Sequence, residues 1–126
     1  WMGIFPEGTR SRRNEPPFMQ QGKTGIARLG VKFPHAKIVP IAIIGARKFM
    51  EPGKMRIRLS APVTVRIGKP ISFADWIESP EGGSMTEDEL LDLLDQDPED
   101  IQRKMGEIYR NFTDQLMSTI SLMGAP

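Results

Sequence analysis

The chain has 126 residues, no cysteine and a single histidine, His35. Without cysteine there is neither a disulfide scaffold nor a thiol nucleophile, a composition that suits a reducing cytoplasm. His35 stands in Phe33-Pro34-His35-Ala36 with no Cys or acidic residue beside it, and no metal-ligand spacing occurs anywhere, so it reads as a loop residue and no metal is expected. Long apolar runs are missing too. The longest, residues 38–46, is interrupted by Pro40 and Gly45, and it falls far short of the ~20 residues that a membrane-spanning helix needs. No secretory leader is visible. Six Phe, two Trp and one Tyr are not interleaved with the basic residues as a base-stacking platform requires, so nucleic acid is not expected as a partner. Gly22-Lys23-Thr24 looks like the end of a nucleotide-binding loop, but Pro17 stands where that loop needs glycine.

What is present suits a globular chain of one domain or part of one, with 39% hydrophobic and 26% charged residues. A net charge of +1 conceals a division. Residues 1–73 hold fourteen Lys/Arg against three acids, a net +11, and residues 74–126 hold three Lys/Arg against thirteen acids, a net −10. The basic half suits anionic headgroups, at about 1 kcal/mol per Lys or Arg near an anionic leaflet, or the phosphates of coenzyme A. Equally, the two halves could neutralise each other across an intramolecular contact.

Residues 1–5 read as a buried strand ending at Pro6, and residues 23–31 as a helix with Ile26, Ala27, Leu29 and Gly30 at helical spacing. Residues 37–44 are a β-branched run of the kind found in fully buried strands, in which Pro40 predicts a bulge or bend. That order predicts parallel strands with a right-handed crossover and a ligand crevice at their carboxyl ends. Residues 55–59 and then Val63, Val65 and Ile67 alternate, predicting half-buried strands with Arg56, Arg58 and Arg66 outward. After Phe73 the chain turns acidic and helical. Thr86-Glu87-Asp88-Glu89 predicts a capping box ahead of Leu90, Leu91 and Leu94, and Asp97-Pro98-Glu99-Asp100 predicts a second helix start. Ile101, Met105, Ile108, Phe112, Leu116, Ile120 and Met123 recur at spacings of three and four up to Gly124. They predict a long helix whose stripe packs on the sheet rather than on a membrane, because its polar face is acidic. Residues 80–84 predict a flexible loop.

Chemistry concentrates in Phe5-Pro6-Glu7-Gly8-Thr9-Arg10-Ser11-Arg12, which puts a carboxylate, a glycine, two hydroxyls and two guanidinium groups on one short turn. Arg10 and Arg12 offer fixed forks of donors to phosphate oxygens, Gly8 lets backbone come close to a ligand, and Thr9 and Ser11 add hydroxyl donors. A phosphate ester fits that set. A carboxylate beside phosphate would repel it, so Glu7 is expected to bind a hydroxyl of the ligand or to hold Arg10 in place. Purely structural roles are also open: Phe5 and Pro6 ending a strand, Gly8 serving its backbone angles, Glu7 capping a helix or pairing with Arg10.

The octet resembles the FPEGTRS motif of the glycerolipid acyltransferases. Gly22-Lys23-Thr24-Gly25-Ile26-Ala27-Arg28-Leu29 resembles the G-x-x-G-x-A-R-L helix of the bacterial 1-acyl-glycerol-3-phosphate acyltransferases, and Ile38-Val39-Pro40-Ile41-Ala42-Ile43-Ile44-Gly45 resembles their VPVA block. Val63-Thr64-Val65-Arg66-Ile67-Gly68-Lys69-Pro70-Ile71 is similar to their V-x-V-R-x-G-x-P-I strand. The resemblance covers residues 1–73. It implies an α/β fold, with residues 1–73 forming the C-terminal part of an acyltransferase domain, a sheet with flanking helices, and residues 74–126 an acidic helical extension. It further implies acyl transfer from acyl-CoA or acyl carrier protein to the free hydroxyl of lysophosphatidate, without a cofactor, and peripheral contact with an anionic membrane surface on the cytoplasmic side. Glu7, Gly8, Thr9 and Arg10, followed by Ser11, Arg12 and Pro40, are the residues it points to for binding the acceptor.

That family's chemistry rests on an HxxxxD motif upstream of the octet, whose His takes the proton from the acceptor hydroxyl. Here His35 follows the octet and the position five residues on is Pro40. A general base must be within hydrogen-bond reach of its hydroxyl. The chain is therefore expected to be a fragment cut just before the strand that leads into the octet, inactive alone and without a catalytic residue of its own. The alternative expectation is a non-catalytic lipid-phosphate binding module.

Overall fold

The structure, a computed structural model, describes residues 1–8, 19–46, 60, 62–82 and 85–125. Helix α1 (Gly25–Lys32) is followed by strands β1 (Ile41–Ile44) and β2 (Thr64–Ile67), helix α2 (Phe73–Glu78), a 3-10 turn (Pro80–Gly82), and helices α3 (Glu87–Leu94) and α4 (Pro98–Leu122). Helices and a two-stranded antiparallel sheet make a mixed α/β arrangement.

The helix starts follow local chemistry. Ser72 caps α2 by accepting from the Asp75 N–H at 3.2 Å. Thr86 and Glu89 form the predicted capping box of α3, each bond 3.3 Å. Pro98 opens α4 with Glu99 and Asp100 in its first turn, although the Asp97 side chain makes no cap bond. Past the last turn, Gly124 takes φ 109, which suits glycine and carries the chain out of the helix. In α3 Leu93 is buried and Leu90 half-buried, while Leu91 and Leu94 are exposed.

The predicted stripe of α4 does point inward, with Met105, Phe112 and Leu116 buried together with Thr113 and Met117. Phe73, Trp76 and Phe112 form a three-ring cluster with centroids 4.9 Å (Trp76–Phe112), 5.5 Å (Phe73–Phe112) and 5.7 Å (Phe73–Trp76) apart, tilted or edge-on. Ala27 of α1 and Ile77 of α2 complete the cluster, which therefore draws on both the basic and the acidic half. The Trp76 indole N–H donates to Gln115 Oε1 at 2.8 Å, and Gln115 Nε2 donates to the Glu81 carbonyl at 2.8 Å. Those bonds tie the 3-10 turn, expected to lie in a flexible loop, to α4. Residues 83–84 lie outside the described residues.

The sheet departs from the expected one. Residues 1–5 form no strand and are exposed, because no neighbouring strand among the described residues takes up their backbone groups. The parallel crossover is accordingly not seen: β1 pairs antiparallel with β2, Ile41 opposite Ile67 and Ile43 opposite Val65. Only residues 41–44 of the expected run 37–44 form the strand, and a two-stranded ribbon has one covered face, so β1 alternates instead of being buried throughout. Ile38 pairs with Ile71, so between the two pairings β1's side advances three residues while the other side retreats four. Pro40 sits in that irregularity, as expected of a residue that cannot donate to the ladder. β2 is exposed along its whole length. Its orientation is also reversed from expectation: Arg66, opposite Ala42, reaches the end of α4 and donates to the Met123 carbonyl at 2.9 Å, while Ile41, Ile43, Val65 and Ile67 face solvent. The orphan carbonyls of a helix end favour a cation there. The expected strand at 55–59, with Arg56 and Arg58, lies outside the described residues.

Thr113 is fully buried and its Oγ1 has no hydrogen-bond partner among the described residues. A buried hydroxyl without a partner costs about 1–3 kcal/mol. Thr113→Val is therefore expected to raise stability by about 1 kcal/mol, read as a higher denaturant midpoint at unchanged slope; a lower midpoint would show that the hydroxyl is bonded.

Candidate functional site

The octet begins on a tight turn. The Gly8 N–H donates to the Phe5 carbonyl at 2.9 Å, and Gly8 takes φ 71, the left-handed region open to glycine at little cost. Two bonds join this turn to residues 20 and 23. The Gln20 N–H donates to Glu7 Oε2 at 2.7 Å, and the Lys23 N–H donates to the Pro6 carbonyl at 2.7 Å. Glu7 thus fastens the two ends of the segment that carries Thr9, Arg10, Ser11 and Arg12. A carboxylate has about four acceptor positions, so this bond leaves it able to accept from a ligand hydroxyl as well.

Lys23 lies across the turn. A Cβ placed on Gly8 would meet Lys23 Nζ at 3.0 Å and its Cδ and Cε at 3.1 Å, so the ammonium arm occupies space that any other residue would contest. The root of that arm is set by Gly22. A Cβ on Gly22 would come within 2.8 Å of Thr113 Cγ2 and of Met117 Cγ, so glycine is what lets this backbone lie directly on α4. Arg110 Nη2 donates to the Gly22 carbonyl at 2.6 Å and pairs with Asp114 at 2.7 Å. Farther along α1, the Arg28 guanidinium sits 5.4 Å from the Tyr109 ring centre, a cation–π contact to the same helix. Thr24 at the start of α1 makes no side-chain cap bond.

Of the residues predicted for the acceptor, Glu7 and Gly8 are together in the turn. Thr9, Arg10, Ser11 and Arg12 lie outside the described residues. Pro40 is elsewhere: it is buried, its carbonyl accepts from the Gly68 N–H at 2.8 Å, and it borders a cleft of about 320 Å³ with Ile71, Trp76, Phe112 and Thr119. The cleft's lining includes none of Glu7, Gly8 or Lys23. Lys69 and Glu81 add one charge of each sign to its walls. Gln20 and Arg110 were not singled out, since nothing local marks them, and Gly22 was noted only as part of the two look-alike motifs. His35 is exposed in the turn after α1.

Among the described residues no group of three His, Cys, Asp or Glu could hold a metal ion, and no described helix is long and apolar enough to cross a membrane. No protein-family model, no curated protein and no solved structure matches the chain.

The contact at Gly22 has a direct test. Gly22→Ala is expected to lower stability by about 1–3 kcal/mol, because buried Thr113 and Met117 must move to admit a methyl group; thermal or denaturant unfolding reads it, and an unchanged midpoint would contradict the close approach.

Proposed function

We propose that this chain carries the acceptor-binding part of a glycerolipid acyltransferase. In the proposed reaction the free hydroxyl of lysophosphatidate attacks the carbonyl carbon of an acyl thioester. The new C–O bond forms as the C–S bond breaks, the hydroxyl proton passes to a base, and the thiol of coenzyme A or acyl carrier protein leaves. The base is a histidine supplied from outside these residues. The contribution of this chain is binding and positioning, worth several kcal/mol of barrier when the hydroxyl is held in line.

The observation that carries the reading is the octet, in which two guanidinium groups, two hydroxyls and a glycine share one short stretch. The folded turn supports it in two ways. Gly8 exposes its backbone at φ 71, and the Glu7 carboxylate is engaged by the Gln20 N–H, which lessens its repulsion of a phosphate. The net +11 of residues 1–73 favours approach to an anionic leaflet, where the lysolipid resides, and a peripheral position on its cytoplasmic side. Arg10 and Arg12 take the phosphate oxygens, and Glu7 orders the turn beside them through its bond from the Gln20 N–H.

Transfer of a radiolabelled acyl group to lysophosphatidate, measured on this chain and on the chain extended by its upstream coding sequence, tests the reading. Activity in the extended form alone is the expected result. In that form Arg10→Ala is expected to raise the KM for lysophosphatidate about tenfold, the cost of one charge-assisted hydrogen bond. Absence of activity in both forms would instead favour a binding module that holds lipid phosphate without catalysis, and an unchanged KM would remove Arg10 from the phosphate.

A further inference from the structure

We infer that Lys23 is a phosphate-binding residue of the acceptor site, its ammonium held over Gly8 to meet an oxygen of a phosphate monoester; this rests on the reading given above. The position is built rather than incidental. The Lys23 N–H is bonded to the Pro6 carbonyl at 2.7 Å, and the preceding residue, Gly22, is fixed on α4 through its carbonyl to Arg110. The backbone that bears Lys23 is held at both points, and its side chain lies over the turn. Its Nζ comes within 3.0 Å of where a Gly8 Cβ would stand, so the absent side chain at Gly8 makes room for the ammonium as well as permitting φ 71.

Charge supports the same assignment. Glu7 is the acid on the turn, and its Oε2 is taken by the Gln20 N–H. The ion pairs among the described residues are Lys37–Asp75, Asp100–Arg103 and Arg110–Asp114, and Glu7 with Lys23 is not one of them. An ammonium is a compact point charge with three donors, suited to a doubly charged phosphate oxygen set whose direction of approach varies, where the planar guanidinium fork demands one geometry. Lys23 is exposed, so a ligand reaches it without rearrangement of the fold.

The phosphate monoester could be borne by a lipid or by a free glycerol phosphate, and two arms separate them. This chain is titrated with glycerol 3-phosphate by calorimetry, and with phosphatidylcholine vesicles containing lysophosphatidate by co-sedimentation. Wild type, Lys23→Met, Lys23→Arg and Lys32→Met are compared in both arms. Lys32, at the far end of α1 with its ammonium 5.7 Å from the Phe33 ring centre, removes the same charge without touching the turn. The expected result is an affinity about tenfold weaker for Lys23→Met, partial recovery in Lys23→Arg, and a change under about twofold for Lys32→Met, as befits an exposed distant charge. Loss confined to the vesicle arm identifies the lipid as the source; loss in both shows that the phosphate itself suffices. Equal loss in Lys23→Met and Lys32→Met overturns the assignment in favour of diffuse attraction. Wild-type affinity in Lys23→Met overturns it while leaving the acyltransferase reading intact. No binding by wild type in either arm overturns both.

Discussion

The direct contact of Gly22 with α4 is what the rest of the arrangement depends on. With no side chain, Gly22 lies against Thr113 and Met117, and Arg110 holds its carbonyl at 2.6 Å. That contact sets where α1 begins and brings Lys23 to the Pro6 carbonyl, which with the Glu7–Gln20 bond joins the turn at Gly8 to the start of α1. α4 can serve as the support because its own position is held by the ring cluster of Phe73, Trp76 and Phe112. Aromatic pairs of this kind contribute about 0.5–1.5 kcal/mol each beyond the area they bury.

Among the described residues the opposite charges of the two halves contribute little. Among the described residues one ion pair joins them, Lys37 with Asp75 at 3.8 Å, and both side chains are exposed. Such pairs are worth about 0–1 kcal/mol. The halves meet instead through apolar packing and through two arginine-to-carbonyl bonds in opposite directions, Arg110 to Gly22 and Arg66 to Met123. The acidic helices thus act as the scaffold on which the basic half rests.

What was legible in the sequence was what short-range chemistry determines. The capping box at Thr86 and Glu89, Pro98 at the start of α4, and the stripe from Met105 to Leu116 each depend on neighbours within a turn or two of helix, and each is found. The strand at residues 1–5 and the parallel crossover are not found among the described residues, because strand pairing depends on partners remote in sequence, which an apolar run does not specify. Arg66 was placed outward by alternation alone, yet it reaches the end of α4, since the alternation says which residues share a face and not which face is covered. At the site, Glu7 and Gly8 were marked by composition. Lys23 and Arg110 were not, because their roles come from contacts with Gly8 and Gly22 that join distant stretches of chain. Pro40 was placed with the acceptor residues by resemblance; it packs on Gly68 beside a cleft that Glu7, Gly8 and Lys23 do not line.

The central claim is that the acceptor's phosphate is bound where the turn of Phe5, Pro6, Glu7 and Gly8 meets the start of α1. Titration of the isotope-labelled chain with glycerol 3-phosphate, followed through backbone amide chemical shifts by NMR, measures this most directly. The account predicts the largest shifts at Glu7, Gly8, Gln20 and Lys23, saturating together with one affinity. Shifts concentrated on Ile71 and Thr119 of the cleft, with the turn unmoved, would contradict it.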